Sequence, residues 1–183
     1  ANNILKGKRG IIFGALNELS IAWKVAERAV EEGAEIVLTN TPVSLRLGTI
    51  NQLAEQTGAV VIPADATSIE DLENLVDKTL EHFGGKIDFV LHAVGMSPNV
   101  RKGIPYEDTN YQNMLKTIDI SALSFHKLLQ TLYQKDAMAE YGSVVSLSYI
   151  AAQRTVIGYN DMADAKALLE SITRSFGAIY GKK

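Results

Sequence analysis

Five short apolar runs alternate with segments of helical pattern along the chain, and this alternation limits the available folds more than any other feature. Each run is almost continuously apolar, which is typical of strands buried on both faces in a parallel sheet. Parallel strands must be joined by crossovers, so a helix between successive strands predicts right-handed βαβ units. The predicted strands span 9–14, 35–39, 60–64, 87–92 and 142–148.

The segments between these runs carry helix start and stop signals. Ser20 stands at the N-cap position of the first helix, and Thr67 or Ser68 can cap the third, with Asp71 in a capping-box-like arrangement. Gly48 weakens the second helix. The predicted helices span 21–30, 43–56, 69–83, 110–133 and 159–170, with a loop over 97–106. No linker interrupts the pattern, so residues 1–183 are predicted to form one α/β domain: a doubly wound, Rossmann-like parallel sheet with helices on both faces.

Composition excludes several classes of function. The chain has 183 residues and no cysteine, so disulfides, thiolate metal sites and thiol catalysis are absent. Its three histidines lack ligand spacing, and no metal site is expected. A net charge of -3 gives no reason to expect nucleic acid or an anionic membrane as a partner. No apolar run approaches membrane-spanning length and no signal core is visible, so we expect a soluble cytoplasmic protein.

Tyr159 and Lys166 are the first candidates for catalysis. They are seven residues apart in a segment rich in helix-forming residues, and seven residues make about two helical turns, so both side chains are predicted on one helix face. A phenol beside an ammonium group forms a proton-donating pair, because the cation favours the phenolate and lowers the pKa of the tyrosine. The alternative is a chance pair on a helix, and the spacing alone does not decide between them.

In a doubly wound sheet, ligands bind beyond the carboxyl ends of the strands. Gly14 ends the first predicted strand, and the helix that begins near Ser20 and Ile21 would offer free N–H groups to a pyrophosphate. The stretch lacks the G-x-G-x-x-G pattern, so the motif is weak, and a strand-end glycine without a ligand is the alternative.

Other strand ends carry further candidates with two readings each. Asp65 could accept a hydrogen bond from an adenine amino group or cap the next helix, and Gly95 could admit a flat cofactor ring or serve a turn. The stretch around Thr41 has no acid for a ribose 2′-hydroxyl and no adjacent arginine for a 2′-phosphate, although Arg46 could reach. The cofactor preference therefore leans to NADH, with NADPH possible. His92 is interpreted as a structural hydrogen-bonding group.

Two aspartates, Asp161 and Asp164, lie next to the tyrosine–lysine pair in the sequence. Charged residues on a predicted helix are usually solvated, so both are interpreted as solvated or interface charges rather than as catalysts.

Four motifs in register resemble the enoyl-acyl-carrier-protein reductases, a divergent branch of the short-chain dehydrogenase/reductases. Residues 159–166, YNDMADAK, match the pattern Y-x-x-M-x-x-x-K of that branch. Residues 14–22, which end in Ser-Ile-Ala, are similar to its nucleotide loop. Residues 92–95, HAVG, and 147–149, LSY, are similar to two of its strand ends. Ordinary members of the superfamily place the lysine four residues after the tyrosine, where this chain has Ala163.

The resemblance implies an oxidoreductase that acts on the CH–CH group, reducing the trans-2 double bond of an enoyl thioester on acyl carrier protein in fatty-acid biosynthesis. It implies that Tyr159 hydrogen-bonds the thioester oxygen, that Lys166 holds the nicotinamide ribose, and that Tyr149 flanks the thioester. Ser97 would lie near the acyl substrate, and a homotetramer is expected. The implied cofactor-lining residues are Gly14, Ser20, Ile21, Thr41, Asp65, Ala66, Val94, Gly95 and Lys166.

The resemblance also implies further segments. Members of the branch continue past the catalytic helix through more strands and a substrate-covering lid, and these are expected to be missing from this chain, which makes the domain truncated relative to the family. Two other functions stay open: a short-chain-type reductase of another enoyl or carbonyl substrate, and a non-catalytic dinucleotide-binding module.

Overall fold

The computed structural model describes residues 1–183, and a single parallel sheet of five strands lies at its centre. The strands are β1 (Arg9–Phe13), β2 (Glu35–Thr39), β3 (Val60–Val61), β4 (Ile87–His92) and β5 (Met138–Ser146). Their order is β3-β2-β1-β4-β5. The chain moves outward from β1 to β3 and then crosses back to β4, so the strand order reverses between β1 and β4. The doubly wound α/β prediction is confirmed, and this reversal is where such sheets bind ligands.

Helices cover both faces of the sheet. They are α1 (Ile21–Glu31), α2 (Pro42–Leu47), α3 (Ile50–Thr57), α4 (Ile69–Phe83), α5 (Pro98–Arg101), α6 (Tyr111–Ile118), α7 (Ser124–Gln134) and α8 (Asp161–Tyr180). Neighbouring residues of β1 point to opposite faces: Ile11 joins the core formed with α4, α7 and α8, whereas Ile12 joins the core formed with α1 and α3. None of the eight helices combines the length and apolar composition that a membrane span requires.

The predicted helix over 43–56 is wrong as a single element, because it is broken into α2 and α3 at Gly48. The backbone N–H of Thr49 donates to the carbonyl of Leu16 at 2.9 Å, and a Cβ on Gly48 would lie 2.4 Å from that same oxygen. The break therefore follows from a close approach of the loop after β1, which local helix propensity does not reveal.

The long helix predicted over 110–133 is also divided. The helical path widens into a π-turn over Asp119–Leu123 between α6 and α7. That turn brings the Ser121 hydroxyl against Met96, where it accepts from the Met96 N–H at 3.0 Å and also lies 3.2 Å from its carbonyl oxygen. The loop predicted over 97–106 contains α5, with Ser97 as its N-cap.

Three predicted strands have different bounds, and the difference in β1 is one residue, since it ends at Phe13. Regular β3 stops at Val61, although Ile62 N–H still donates to Leu38 O at 2.9 Å and Ala64 N–H to Asn40 O at 3.0 Å, so the pairing with β2 continues irregularly past Pro63. β5 begins at Met138 rather than residue 142, with a register irregularity around Tyr141, which has a φ of 57°.

His92 ends β4 as a buried structural group, as predicted. Its Nε2 lies 2.8 Å from Ser124 Oγ, and its ring packs between Phe13 and Phe125. Burial, with a smaller contribution from the charge of Lys166, lowers the pKa of His92 to about 4.

This lowered pKa predicts a pH dependence of stability. The unfolded imidazole binds its proton near pH 6.5, whereas the folded one does so only near 4, so the free energy of unfolding should fall as pH drops through that window. The free energy of unfolding can fall by at most about 3 kcal/mol, because each unit of difference between the two pKa values corresponds to about 1.4 kcal/mol. Urea unfolding of wild type and His92→Gln at pH 7, 5.5 and 4.5 would measure this loss of stability. If the free energy of unfolding changed equally with pH in both proteins, the assignment to His92 would be contradicted.

Candidate active site

The crevice at the strand-order reversal is formed by the ends of β1 and β4. Gly14 follows β1 with a φ of 94°, and a Cβ there would lie 2.0 Å from the carbonyl oxygen of Ala93. Only glycine tolerates both the backbone conformation and the contact. Gly95 lies one step further, where a Cβ would lie 3.8 Å from Lys166 Nζ and 3.5 Å from Met162 Cε. The two glycines therefore keep the floor of the crevice free of side chains.

The loop between β1 and α1 is held by Ser20. Its hydroxyl accepts from the N–H groups of Leu16 and Asn17, both at 3.1 Å, and makes no bond to the first turn of α1. The predicted N-cap position is correct, but the hydroxyl closes the preceding loop instead of bonding the first turn of the helix. The first-turn N–H groups, beginning at exposed Ile21, therefore have no side-chain cap and are available to an anion.

The side chains at the end of β2 are committed to other protein groups. Thr41 caps α2 by accepting from Ser44 N–H at 3.1 Å, and Asn40 Nδ2 donates to Ala15 O at 3.0 Å. Arg46 lies in the last turn of α2.

The local interpretation of Asp65, as the cap of the next helix, is wrong, because its carboxylate bonds within the preceding turn. Its Oδ1 accepts from the N–H of Thr67 at 2.9 Å and from the Thr67 hydroxyl at 2.7 Å, which fixes the turn before α4. The cap of α4 itself is Ser68, and Asp71 accepts from Asp65 N–H rather than completing a capping box. Ala66 belongs to the apolar core and Val94 packs against it, so a ligand would meet mainly their backbone.

The tyrosine–lysine pair is not arranged as predicted. α8 begins at Asp161, so Tyr159 precedes the helix and does not share a helix face with Lys166. Asn160, between Tyr159 and the helix, has a φ of 49°, which turns the backbone sharply. Tyr159 instead packs against Tyr149, with ring centroids 4.7 Å apart.

Lys166 is the other member of the predicted pair, and it lies within α8. It is 7% exposed, and its Nζ donates to the carbonyl of Leu147 at 2.6 Å, which ties α8 to the segment that leads to Tyr149. Lys166 thus lies beside Gly95 at the carboxyl end of the sheet, and its bond to Leu147 O links it to the segment that carries Tyr149 just after β5.

The expected lowering of the tyrosine pKa is also wrong. Burial, and to a lesser extent the neighbouring Tyr149, raises the pKa of Tyr159, whereas burial lowers the pKa of Lys166. A phenol with a raised pKa is protonated at neutral pH, so Tyr159 is a hydrogen-bond donor.

The prediction that Asp161 is a solvated or interface charge is wrong. It is fully buried and accepts from Ser97 Oγ at 2.6 Å, Asn99 Nδ2 at 2.8 Å and Thr117 Oγ1 at 3.0 Å. Ser97 is itself buried, and its hydroxyl is used by Asp161 and by Val100 N–H. No sequence signal points to this network, because its members are separated by up to 64 residues. Asp164, by contrast, accepts from the Tyr106 hydroxyl near the surface at 3.0 Å.

Comparisons with known proteins agree with this geometry. The family model described as Enoyl-(Acyl carrier protein) reductase matches residues 14–183. Enoyl-[acyl-carrier-protein] reductase [NADH] 2 of Rhizobium meliloti (strain 1021) is 36% identical over 183 residues, which cover 100% of this chain and 67% of that protein. The FabI protein of Rickettsia bellii is 37% identical over 93% of this chain and 64% of its own length.

Solved structures show the same relationship. The crystal structure of FabI from Alistipes finegoldii superposes with a TM-score of 0.98 at 72% identity, covering 100% of this chain and 70% of that one. A FabI–NADH complex from the same organism has a TM-score of 0.97, covering 99% and 64%. The chain thus spans about two thirds of the length of its relatives, and it belongs to the enoyl-acyl-carrier-protein reductase family.

Proposed function

We propose that this protein is an oxidoreductase that uses NADH to reduce the trans-2 double bond of enoyl thioesters carried by acyl carrier protein. The observation that carries the proposal is Lys166 beside Gly95 at the crevice, with its Nζ bonded to Leu147 O in the segment that leads to Tyr149, which packs on Tyr159. The names of the relatives support it, since they are enoyl-acyl-carrier-protein reductases marked NADH, and one structure is a complex with NADH.

The crevice fits a dinucleotide in its general features. Side chains at Gly14 and Gly95 would fill its floor, and the uncapped first turn of α1 offers N–H groups to a pyrophosphate. We propose that the cofactor is held by Gly14, Ser20, Ile21, Thr41, Asp65, Ala66, Val94, Gly95 and Lys166. When bound, NADH supplies the hydride for the reaction.

The protein's own groups handle the charge that develops on the substrate. As the β-carbon is reduced, negative charge develops on the thioester oxygen, and the protonated Tyr159 phenol donates a hydrogen bond to that oxygen. Tyr149 packs against Tyr159 and flanks the thioester. Lys166, held by Leu147 O, keeps further N–H donors for the ribose hydroxyls. The hydroxyl of Ser97 is already engaged, so a role for Ser97 at the acyl chain would use its backbone or its neighbours.

The preference for NADH has a structural argument. A 2′-phosphate would need a cation near the end of β2, where the polar side chains Asn40 and Thr41 are neutral and already bonded. Arg46 in α2 is the cation that could bind the 2′-phosphate, and use of NADPH would depend on it.

We also propose that the protein acts in the cytoplasm as a homotetramer. The large exposed apolar and aromatic side chains on and before α6, Tyr106, Tyr111 and Leu115, are suited to a subunit contact. Light scattering coupled to size-exclusion chromatography would measure the oligomeric state directly.

The assay that tests the proposed function follows cofactor oxidation with a crotonyl thioester, an acyl-carrier-protein-bound enoyl substrate and a simple ketone, each with NADH and with NADPH. We expect turnover with both enoyl thioesters and NADH, and none with the ketone. Activity on ketones alone would indicate a carbonyl reductase, and NADH binding without turnover of any substrate would indicate a non-catalytic module.

A further inference from the structure

Asp161 is a buried anion without a cation. It is the first residue of α8, is 0% exposed, and forms no ion pair with a lysine, arginine or histidine. Its charge is balanced by three side-chain donors and by the positive end of the α8 dipole. A buried carboxylate is expensive in free energy, and well-packed apolar residues at such positions are often as stable or more so. Stability alone therefore does not explain it.

The three donors come from separate places along the chain. Ser97 precedes α5, Asn99 lies within it, and Thr117 lies in α6. Asn99 is fixed in turn, because its Oδ1 accepts from Asn113 Nδ2 at 3.2 Å and its Nδ2 also donates to Asn110 O at 3.1 Å. The Asp161 carboxylate thus joins the start of α8 to two other elements, the segment that follows β4 and helix α6.

The start of α8 is also where Tyr159 is oriented. Asn160, the single residue between Tyr159 and Asp161, has φ 49° and ψ -132°, a conformation that costs a non-glycine residue about 1–3 kcal/mol and persists only when its surroundings fix it. On one side it is fixed by its own Nδ2, which donates to Ile104 O. On the other side, Asn160 is followed by Asp161, whose carboxylate is held by its three hydrogen-bond donors.

We propose that Asp161 is a positioning residue that sets the Tyr159 phenol against Tyr149 through the strained turn at Asn160. The inference rests on the proposed function for its role in turnover, since the positioned phenol is the group that bonds the thioester oxygen. Ser97, Asn99 and Thr117 serve the same role through Asp161, and their side-chain polar groups are used in this network rather than on substrate.

The kinetic test uses Asp161→Asn, which keeps the shape of the side chain but places an N–H₂ group where Asn99 or Thr117 now donates. We expect kcat to fall about 10- to 100-fold, the loss that a displacement of about 1 Å can cause, while the Kd for NADH and the KM for the thioester change little. The matched control is Asp164→Asn, which removes the same charge from the first turn of α8 outside the network and should leave kcat unchanged. Thr117→Val removes one donor only and should give a smaller loss in the same direction, even if Asp161→Asn folds poorly.

A second readout does not depend on turnover. Protein with ¹³C-labelled tyrosine, with the Tyr159 signal assigned by its absence in Tyr159→Phe, should show a ring-current shift from Tyr149 that is lost in Asp161→Asn or Thr117→Val. The pKa of the Tyr159 phenol, followed in the same spectra, should move down toward its ordinary value as the ring becomes solvated.

The outcomes separate the two proposals. Unchanged Tyr159 signals and unchanged kcat, with only a lower melting temperature, would overturn the positioning role. Altered Tyr159 signals in a protein whose wild type reduces no enoyl thioester would support positioning and overturn the proposed function.

Discussion

Tyr159→Phe is expected to lower kcat for enoyl thioester reduction by about 10²- to 10³-fold, the usual cost of removing one donor to a developing oxyanion. Affinity for NADH should stay as in wild type. The ring is half-buried and packs on Tyr149, and phenylalanine keeps that contact, so the fold should be intact. Only the O–H group is lost. Steady-state kinetics and NADH titration by fluorescence would measure the two quantities separately.

The matched control for this change is Tyr141→Phe, because Tyr141 is 97% exposed and lies in β5 away from the crevice. It should leave kcat at the wild-type value. A Tyr159→Phe variant with wild-type kcat and intact NADH binding would mean that the phenol is not the donor, and the assignment of the site would have to be abandoned.

Much of this fold was predictable because it depends on local pattern. The apolar runs around Ile11, Val37 and Val90 are buried on both faces, as continuous hydrophobicity requires in a parallel sheet. Where prediction was wrong, a distant group decided the local structure. The helix over 43–56 breaks at Gly48 because Leu16, in another loop, approaches it.

The candidate site shows the same division. The helical spacing predicts Tyr159 and Lys166 on one face, but α8 begins after Tyr159. The two groups are placed by separate contacts instead: Tyr159 packs on Tyr149, and Lys166 donates to Leu147 O. Motif resemblance identifies both residues, whereas their predicted arrangement on one helix face is wrong. Asp161 could not have been identified, because the sequence does not show that Ser97 and Thr117 meet it in the core.

Lys166→Met is expected to raise the Kd for NADH and to lower kcat/KM for the enoyl thioester by at least about tenfold each, since each lost hydrogen bond to a charged donor costs about 1.5–3 kcal/mol. The methionine chain replaces the aliphatic stem of the lysine but has no donor for the ribose hydroxyls. Isothermal titration with NADH and steady-state kinetics would measure the two effects.

Stability should respond differently from binding in Lys166→Met. Burial lowers the pKa of Lys166, so the folded state binds its proton less readily than the unfolded chain does, and the charged lysine opposes folding at neutral pH. Methionine removes this opposition but leaves Leu147 O without its donor, and the two changes offset each other. The melting temperature should therefore stay close to that of wild type while NADH affinity falls.

A lysine outside the crevice provides the comparison for this variant. Lys135, just past α7, pairs with Asp77 at 2.8 Å, and Lys135→Met should leave NADH affinity unchanged because the pair is remote from the crevice. If Lys166→Met lowered the melting temperature strongly and left NADH binding intact, the lysine would be a structural tie to Leu147 rather than a cofactor ligand. The buried ammonium group of Lys166 opposes folding, so stability does not account for this lysine. Its binding to the ribose would account for it.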